Sequence, residues 1–194
     1  MSRVFLASDT HFDHRLVASL RGYGSPAEHD AAIVESWNSV VGERDTVWHL
    51  GDVGMGPMRR WKGSVSALNG TIHLVTGNHD EAAPGVSRKA QKVQREWLEV
   101  FASVQPFARI RRGNKHILLS HYPYSGEGSR EFEDRYTEYR LRNEGFPLVH
   151  GHTHDAEQRL SHDQGTPMLH VGWDAWRRPV ELEEVLEALF PSES

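Results

Sequence analysis

The sequence predicts an α/β (α+β) protein in which two mixed β-sheets pack as a pair with helices outside. Three observations lead there. Five short β-rich apolar runs each stop at a polar cluster, segments with helix-capping signals and one-sided apolar spacing stand between them, and the second half adds two runs that fold back around turn residues.

The strand candidates are residues 3–8, ending at Asp9; 46–50, ending at Gly51-Asp52; 71–76, ending at Gly77-Asn78; 115–120, ending at His121; and 147–149, ending at His150-Gly151-His152. In open α/β sheets ligands bind at the C-terminal ends of strands, so five distant segments are expected to converge on one rim. Between them, Ser25-Pro26-x-Glu28 is a capping box with proline at the first helical position, and Ile33, Val34, Trp37, Val40 and Val41 repeat on one face. Residues 57–68 read as a helix with an apolar stripe of Trp61, Val65 and Leu68, stopped by Asn69-Gly70. Residues 86–101 read as a longer helix or helix pair. Hairpins are expected over 108–119, turning at Gly113-Asn114, and over 157–171, turning near Asp163-Gln164-Gly165. Pro179 is expected to start a last helix, with Glu181, Glu183 and Glu184 in its first turns and Leu182, Val185, Leu186 and Leu189 on its inner side.

A chain of 194 residues suits one substantial core, so a single domain over 1–194 is expected, without linker or repeat. No apolar run is long enough to span a bilayer and the first residues lack a signal-peptide pattern, which makes a cytoplasmic location the expectation and a membrane partner not one. With no cysteine there is no disulfide framework and no thiolate metal site. The formal net charge of −5 gives no bulk attraction for long nucleic acid. The 13 histidines are the compositional signal. His11, His14, His79, His121, His152 and His154 lie in or beside the clusters, whereas His29, His162 and His170 read as surface or core positions.

Imidazole, carboxylate and amide oxygen are the donors a hard or borderline dication takes when thiolate is absent. Asp9 and His11, two apart at a strand end, can hold one ion between them. Asp52 is the natural bridging carboxylate for two ions about 3.5–4 Å apart. Asn78, His121 and His152 complete a second site with Asp52, and His154 returns to the first. Alone, Asp-x-His and Gly-Asp are ordinary turn chemistry. In this order, each after a strand, they are a two-metal pattern.

Taken together, the Asp9-x-His11, Gly51-Asp52, Gly77-Asn78-His79-Asp80, His121 and Gly151-His152-Thr153-His154 blocks resemble the calcineurin-like metallophosphoesterase superfamily over residues 4–173. Ser120-His121-Tyr122-Pro123 and the start Ser8-Asp9-Thr10-His11-Phe12-Asp13-His14 are similar to its compact prokaryotic and phage members. The resemblance implies a four-layer αββα sandwich and two divalent ions, Mn foremost, with Fe, Zn, Ni or Co as alternatives. It matches Asp9, His11, Asp52 and His154 to the ligands of one metal and Asp52, Asn78, His121 and His152 to those of the other. His79 matches the family's catalytic histidine.

Two cations sharing a water lower its pKa enough to give a nucleophile near neutral pH and neutralise charge on the phosphoryl oxygens. His79 is expected to bind substrate and to stabilise the transition state or protonate the leaving oxygen, with Asn78 beside it. Asp80 either orients the His79 ring or caps the following segment. His14 contacts the substrate phosphate or bonds the backbone. Trp173 and Trp176 are weighed as a stacking pair against core packing. The basic group Arg109, Arg111, Arg112 and Lys115 is weighed as a solvated turn against a nucleic-acid contact, and Arg130 or Arg135 as a phosphate contact. The function expected is hydrolysis of small phosphodiesters, cyclic nucleotides included; the alternatives are a phosphomonoesterase, a nuclease and a protein-binding scaffold of the same fold. Oligomeric state is left open.

Overall fold

The computed structural model describes residues 2–126, 134–157 and 159–191. Two five-stranded sheets form its centre. Strands β1 (Val4–Ala7), β2 (Thr46–His49), β3 (Thr71–Val75) and β4 (Ser103–Gln105) run parallel in the first, with β10 (Val180–Glu181) antiparallel on the far edge, in the order β10-β1-β2-β3-β4. The second contains β5 (Phe107–Arg112), β6 (Lys115–Ser120), β7 (Leu148–His150), β8 (Leu160–Asp163) and β9 (Thr166–His170) in the order β5-β6-β7-β9-β8. Its centre is parallel and its edges are antiparallel hairpins. Both sheets are therefore mixed, and the sandwich is α+β with helices outside.

Side chains alternate across each strand, and in β1 both faces are buried because both are covered. Phe5 and Ala7 join Val47, Ile72 and Leu74 against Ile33, Trp37, Trp61 and Trp97 on the helical side. Leu6 points the other way, into the seam with Ile117, Leu119, Val149 and Leu169 of the second sheet. Helix α2 (Pro26–Val40) begins where expected, with Ser25 Oγ accepting from the Glu28 amide at 3.1 Å and Pro26 at its first position, but the Glu28 side chain accepts from the Gly24 amide at 2.9 Å instead of from Ser25, so the expected capping box is only half formed. Helix α1 (Arg15–Leu20), missed in the sequence for its brevity, links the Asp9-x-His11 cluster to α2.

Three helix expectations are corrected. Residues 57–68 do not form one helix: a 3-10 turn over Met58–Arg60 is followed by α3 (Lys62–Ser66). Trp61, wholly buried, sits between them with its ring against Gly54 and 5.1 Å from that of Trp97, so indole packing outweighs the weak helix preference of Lys-Gly-Ser-Val-Ser. Within 86–101 only α4 (Ala90–Trp97) is helical, because Ser87 Oγ accepts from the Lys89 amide and draws the preceding turn out of helical form. Pro179 opens no helix. Val180, wholly buried in the seam, pairs with Leu6 in β10, and α6 (Leu182–Leu189) starts one step later with a Glu181/Glu184 capping box.

The weaker ligand candidates also find places. Trp173, in the short helix α5 (Trp173–Trp176), is 3% exposed in the core, and Trp176 donates Nε1–H to the His170 carbonyl, so neither forms a stacking platform at the rim. Lys115 lies at the end of β6 opposite to His121, about 20 Å away by strand rise. The basic hairpin is thus remote from the rim, and Arg112 pairs with Glu183 at 3.1 Å. Arg130 lies outside the described residues.

Candidate metal centre

The rim is made where β1, β2, β3, β6 and β7 end, and the backbone there is unusual. Asp9, His11, Asp52, His152 and His154 all have φ between 52° and 72°. Such left-handed conformations are sparsely populated by non-glycine residues and cost of order 1–3 kcal/mol each, so they persist only where surrounding bonds enforce them. Those bonds are present. The amides of Asp9 and His11 donate to the carbonyls of Gly51 and Asp52, both at 3.0 Å, which stitches the first loop to the second. The Gly151 amide donates to the His121 carbonyl at 3.0 Å, and the His152 amide donates to the Asp9 carboxylate at 3.1 Å. Two glycines permit the closest approach: a Cβ on Gly51, whose φ is +94°, would stand 2.4 Å from the Gly77 nitrogen, and one on Gly77 would stand 2.3 Å from Asp52 Oδ1.

Ligand atoms of Asp9, His11, Asp52 and His154 all lie within 4.8 Å of one another. His11 Nε2 is 3.1 Å from His154 Nε2 and 3.7 Å from Asp52 Oδ2, and His154 Nε2 is 3.8 Å from Asp9 Oδ1. Donors separated by 3–4 Å around a shared point match ligands about 2.1 Å from one ion. On the other side of Asp52, Asn78 Oδ1 is 3.1 Å from His121 Nε2 and 2.9 Å from His152 Nδ1. His121 Nε2 is 3.6 Å from Asp52 Oδ2. All seven expected ligand residues thus meet, with one oxygen of Asp52 between the two groups. The other oxygen, Oδ1, accepts from the His79 amide at 2.8 Å.

Electrostatics agree with a site built for a cation. Burial, offset in part by the His154 and His121 charges, pushes the Asp9 carboxyl up. Burial and then the Asp52 charge push Asp80 up to about 7. Carboxylates crowded in this way lack positive charge. The imidazole of His11 is held well below its usual range, first by burial and then by the charges of His154 and Arg21, so its lone pair is available to a metal. A dication would supply the missing charge and use the free lone pairs, and the donor set therefore fits one.

His79 stands at the open side, 41% exposed, with Nε2 4.0 Å from Asp52 Oδ2 and its ring 5.5 Å from that of His11. His14 caps α1, Nδ1 accepting from the Val17 amide at 3.3 Å, while its ring lines the same cavity as His11, His79 and His154. Asp80 corrects an expectation. It does not orient the His79 ring. Its carboxylate is buried and accepts from the amides of Gly77, Asp52 and Val53 at 2.7, 3.0 and 3.1 Å, tying the β2 and β3 loops together beneath the ligands.

Two residues escaped the sequence reading. Asp174 Oδ2 lies 2.8 Å from His154 Nδ1, which turns Nε2 toward the metal donors. Arg21 donates from Nε and Nη2 to the two oxygens of Asp174, both at 2.8 Å, and also to the carbonyls of Asp9 and Thr10. Burial opposes a charge on His154, but the bond to Asp174 and the charge of Asp9 outweigh it and hold the imidazole above its usual range. Burial likewise opposes ionisation of Asp174, yet the Arg21 and His154 bonds keep its carboxyl well below the usual carboxylate range. The only local hint of Asp174 was its place between the two tryptophans, and Arg21 had none.

Comparison with known proteins agrees with this geometry. A family model described as a calcineurin-like phosphoesterase superfamily domain matches residues 2–180. The Gene 66 protein of Mycobacterium phage L5 is 39% identical over 201 aligned positions, covering 96% of this chain and 94% of its own. Among solved structures, the protein AQ665 of Aquifex aeolicus superposes with a TM-score of 0.66 at 22% identity, covering 95% of this chain and 98% of that one. The phosphopantetheinyl hydrolase of Mycobacterium tuberculosis superposes with a TM-score of 0.52 at 10% identity, over 93% and 95%. The likeness to these two is one of fold.

Proposed function

The chain belongs to the calcineurin-like phosphoesterase superfamily, and on that premise we propose that it is a two-metal phosphodiesterase that hydrolyses small phosphodiesters, cyclic nucleotides included. The observation that carries this reading is the position of Asp52, with one oxygen between the His11/His154 donors and the Asn78/His121/His152 donors. Asp9, His11, Asp52 and His154 would hold one divalent ion, and Asp52, Asn78, His121 and His152 the other, Mn foremost. When bound, such ions would supply Lewis-acid polarisation of the phosphoryl oxygens and a lowered pKa for water.

The chain's own groups do the rest. His79, exposed beside the donors, contacts the phosphoryl group and gives a proton to the leaving oxygen from Nε2. His14, at the same cavity, adds a polar contact to a phosphoryl oxygen. Arg21 lines that cavity, but its guanidinium is 2% exposed and committed to Asp174 and two backbone carbonyls. Among the described residues lining the cavity no other guanidinium meets the second charge of a monoester, so a singly charged diester is the better match.

With metal-free protein to which Mn²⁺ is restored, bis-p-nitrophenyl phosphate and 2′,3′-cyclic AMP should be hydrolysed faster than p-nitrophenyl phosphate, and none of the three without the ion. Preference for the monoester would replace this reading by a phosphatase, and silence on all three with metal bound would overturn it in favour of a binding scaffold.

The Arg21–Asp174–His154 chain gives a second expectation. Asp174→Asn removes the charge that holds both neighbours, and Mn²⁺ affinity should fall about 10–100-fold, as for loss of a partner behind a metal ligand. Calorimetric titration measures it, and an unchanged affinity would remove Asp174 from the metal's support.

A further inference from the structure

The cavity at the metal donors has two unlike kinds of lining. Its volume is about 420 Å³, and it is lined both by His11, His79 and His154 and by Leu16, Val17 and Leu20 of α1. Leu16 and Leu20 are 63% and 77% exposed, and they stand one helical turn apart, so both face the same way. The residue of α1 turned to the interior is Ala18, 1% exposed. Isolated surface leucines need no explanation. These two, with Val17, line the recess that also holds the chemistry.

Charge narrows the occupant. Among the described residues lining the cavity, the permanently charged side chain is Arg21, and it is committed to Asp174, Asp9 and Thr10. With the histidines assigned to the phosphoryl end, no free lysine or arginine among the described residues lines it to meet a second anionic group, as a polyphosphate or a nucleic-acid strand would require. Resting on the phosphoesterase reading above, we infer that Leu16, Val17 and Leu20 form the subsite for the non-phosphoryl part of the substrate, and that this part is an uncharged, largely hydrocarbon group, alkyl or aryl, which within the class proposed above ranks such diesters ahead of cyclic nucleotides. The phosphoryl end faces His11, His79 and His154. The organic end lies along α1, where water leaves both surfaces.

Methylphosphinates bearing an alkyl or aryl group, which carry a single negative charge like a diester and have no ester bond to hydrolyse, test this directly. On the Mn-loaded protein, butyl(methyl)phosphinate and methyl(phenyl)phosphinate should bind about tenfold more tightly than dimethylphosphinate by calorimetry, as expected for partial burial of three or more carbons. In Leu16→Ser/Leu20→Ser the ratio should fall to about threefold or less, and since both side chains are exposed the fold tolerates the exchange. Equal affinity across the series, or a preference that survives the double substitution, would overturn the subsite. So would failure to bind any of the phosphinates; hydrolysis of the nitrophenyl esters, run in parallel, then tells whether the phosphoesterase reading falls with it.

Discussion

Replacing Asp52 by alanine should abolish metal binding and activity together. Its Oδ2 stands 3.7 Å from His11 Nε2 and 3.6 Å from His121 Nε2, so one truncation takes a ligand atom from both groups. Loss of a supporting partner alone typically costs about 10–100-fold in metal affinity. Loss of a shared ligand should exceed that, and turnover should drop by about 10³-fold or more, equivalent to about 4 kcal/mol of barrier. Metal analysis should find about two Mn per chain in the parent protein and less than one in Asp52→Ala. Thermal unfolding supplies an independent check, because a ligand that binds only the folded state raises stability in proportion to the logarithm of its concentration. Added Mn²⁺ should raise the Tm of the parent and leave that of Asp52→Ala nearly unmoved. In the metal-free state the variant need not be weaker, since the Asp52 charge is one of the causes that push Asp9 and Asp80 upward. Two Mn per chain retained in the variant would overturn the bridging role.

His79→Ala should separate chemistry from metal binding. The contact of His79 with the donor group runs through its backbone, whose amide donates to Asp52 Oδ1 at 2.8 Å, and alanine keeps that bond. The ring touches His11 only edge-on at 5.5 Å and is 41% exposed, so its removal opens onto solvent rather than leaving a closed cavity. Metal content and Tm should therefore stay close to those of the parent, while kcat falls about 10²–10⁴-fold, the range for loss of a positioned proton donor. Metal analysis alongside steady-state kinetics tests this. Full metal loss in the variant would overturn the assigned roles, and an unchanged kcat would remove His79 from proton transfer.

Much of the centre was legible before folding because its signals are local. A strand that ends in Asp-x-His or Gly-His-x-His declares its donors within a few residues, and the strand itself is declared by a short β-rich run. The helix over residues 57–68 failed for the opposite reason. Its stripe of Trp61, Val65 and Leu68 has helical spacing, but the buried indole is held by Gly54 and Trp97 from other segments, and these decide the backbone. Pro179 misled in the same way, because Val180 is claimed by pairing with β1, a partner more than 170 residues distant in sequence. Asp80 was expected either to orient His79, its neighbour in sequence, or to cap the following segment, and its carboxylate instead serves three amides, two of them on the β2 loop.

The sequence by itself determined which donors this protein has, the order in which they occur and the strand ends that carry them. Only the tertiary structure decided what stands behind and beside those donors. Arg21, Asp174 and His154 meet across 153 residues of chain, and Leu16 and Leu20 acquire a meaning only because α1 is laid against the open side of the centre. The division is physical. Dihedral preference and side-chain alternation act over a few residues, whereas a buried charge must find its counter-charge wherever the packed chain brings one.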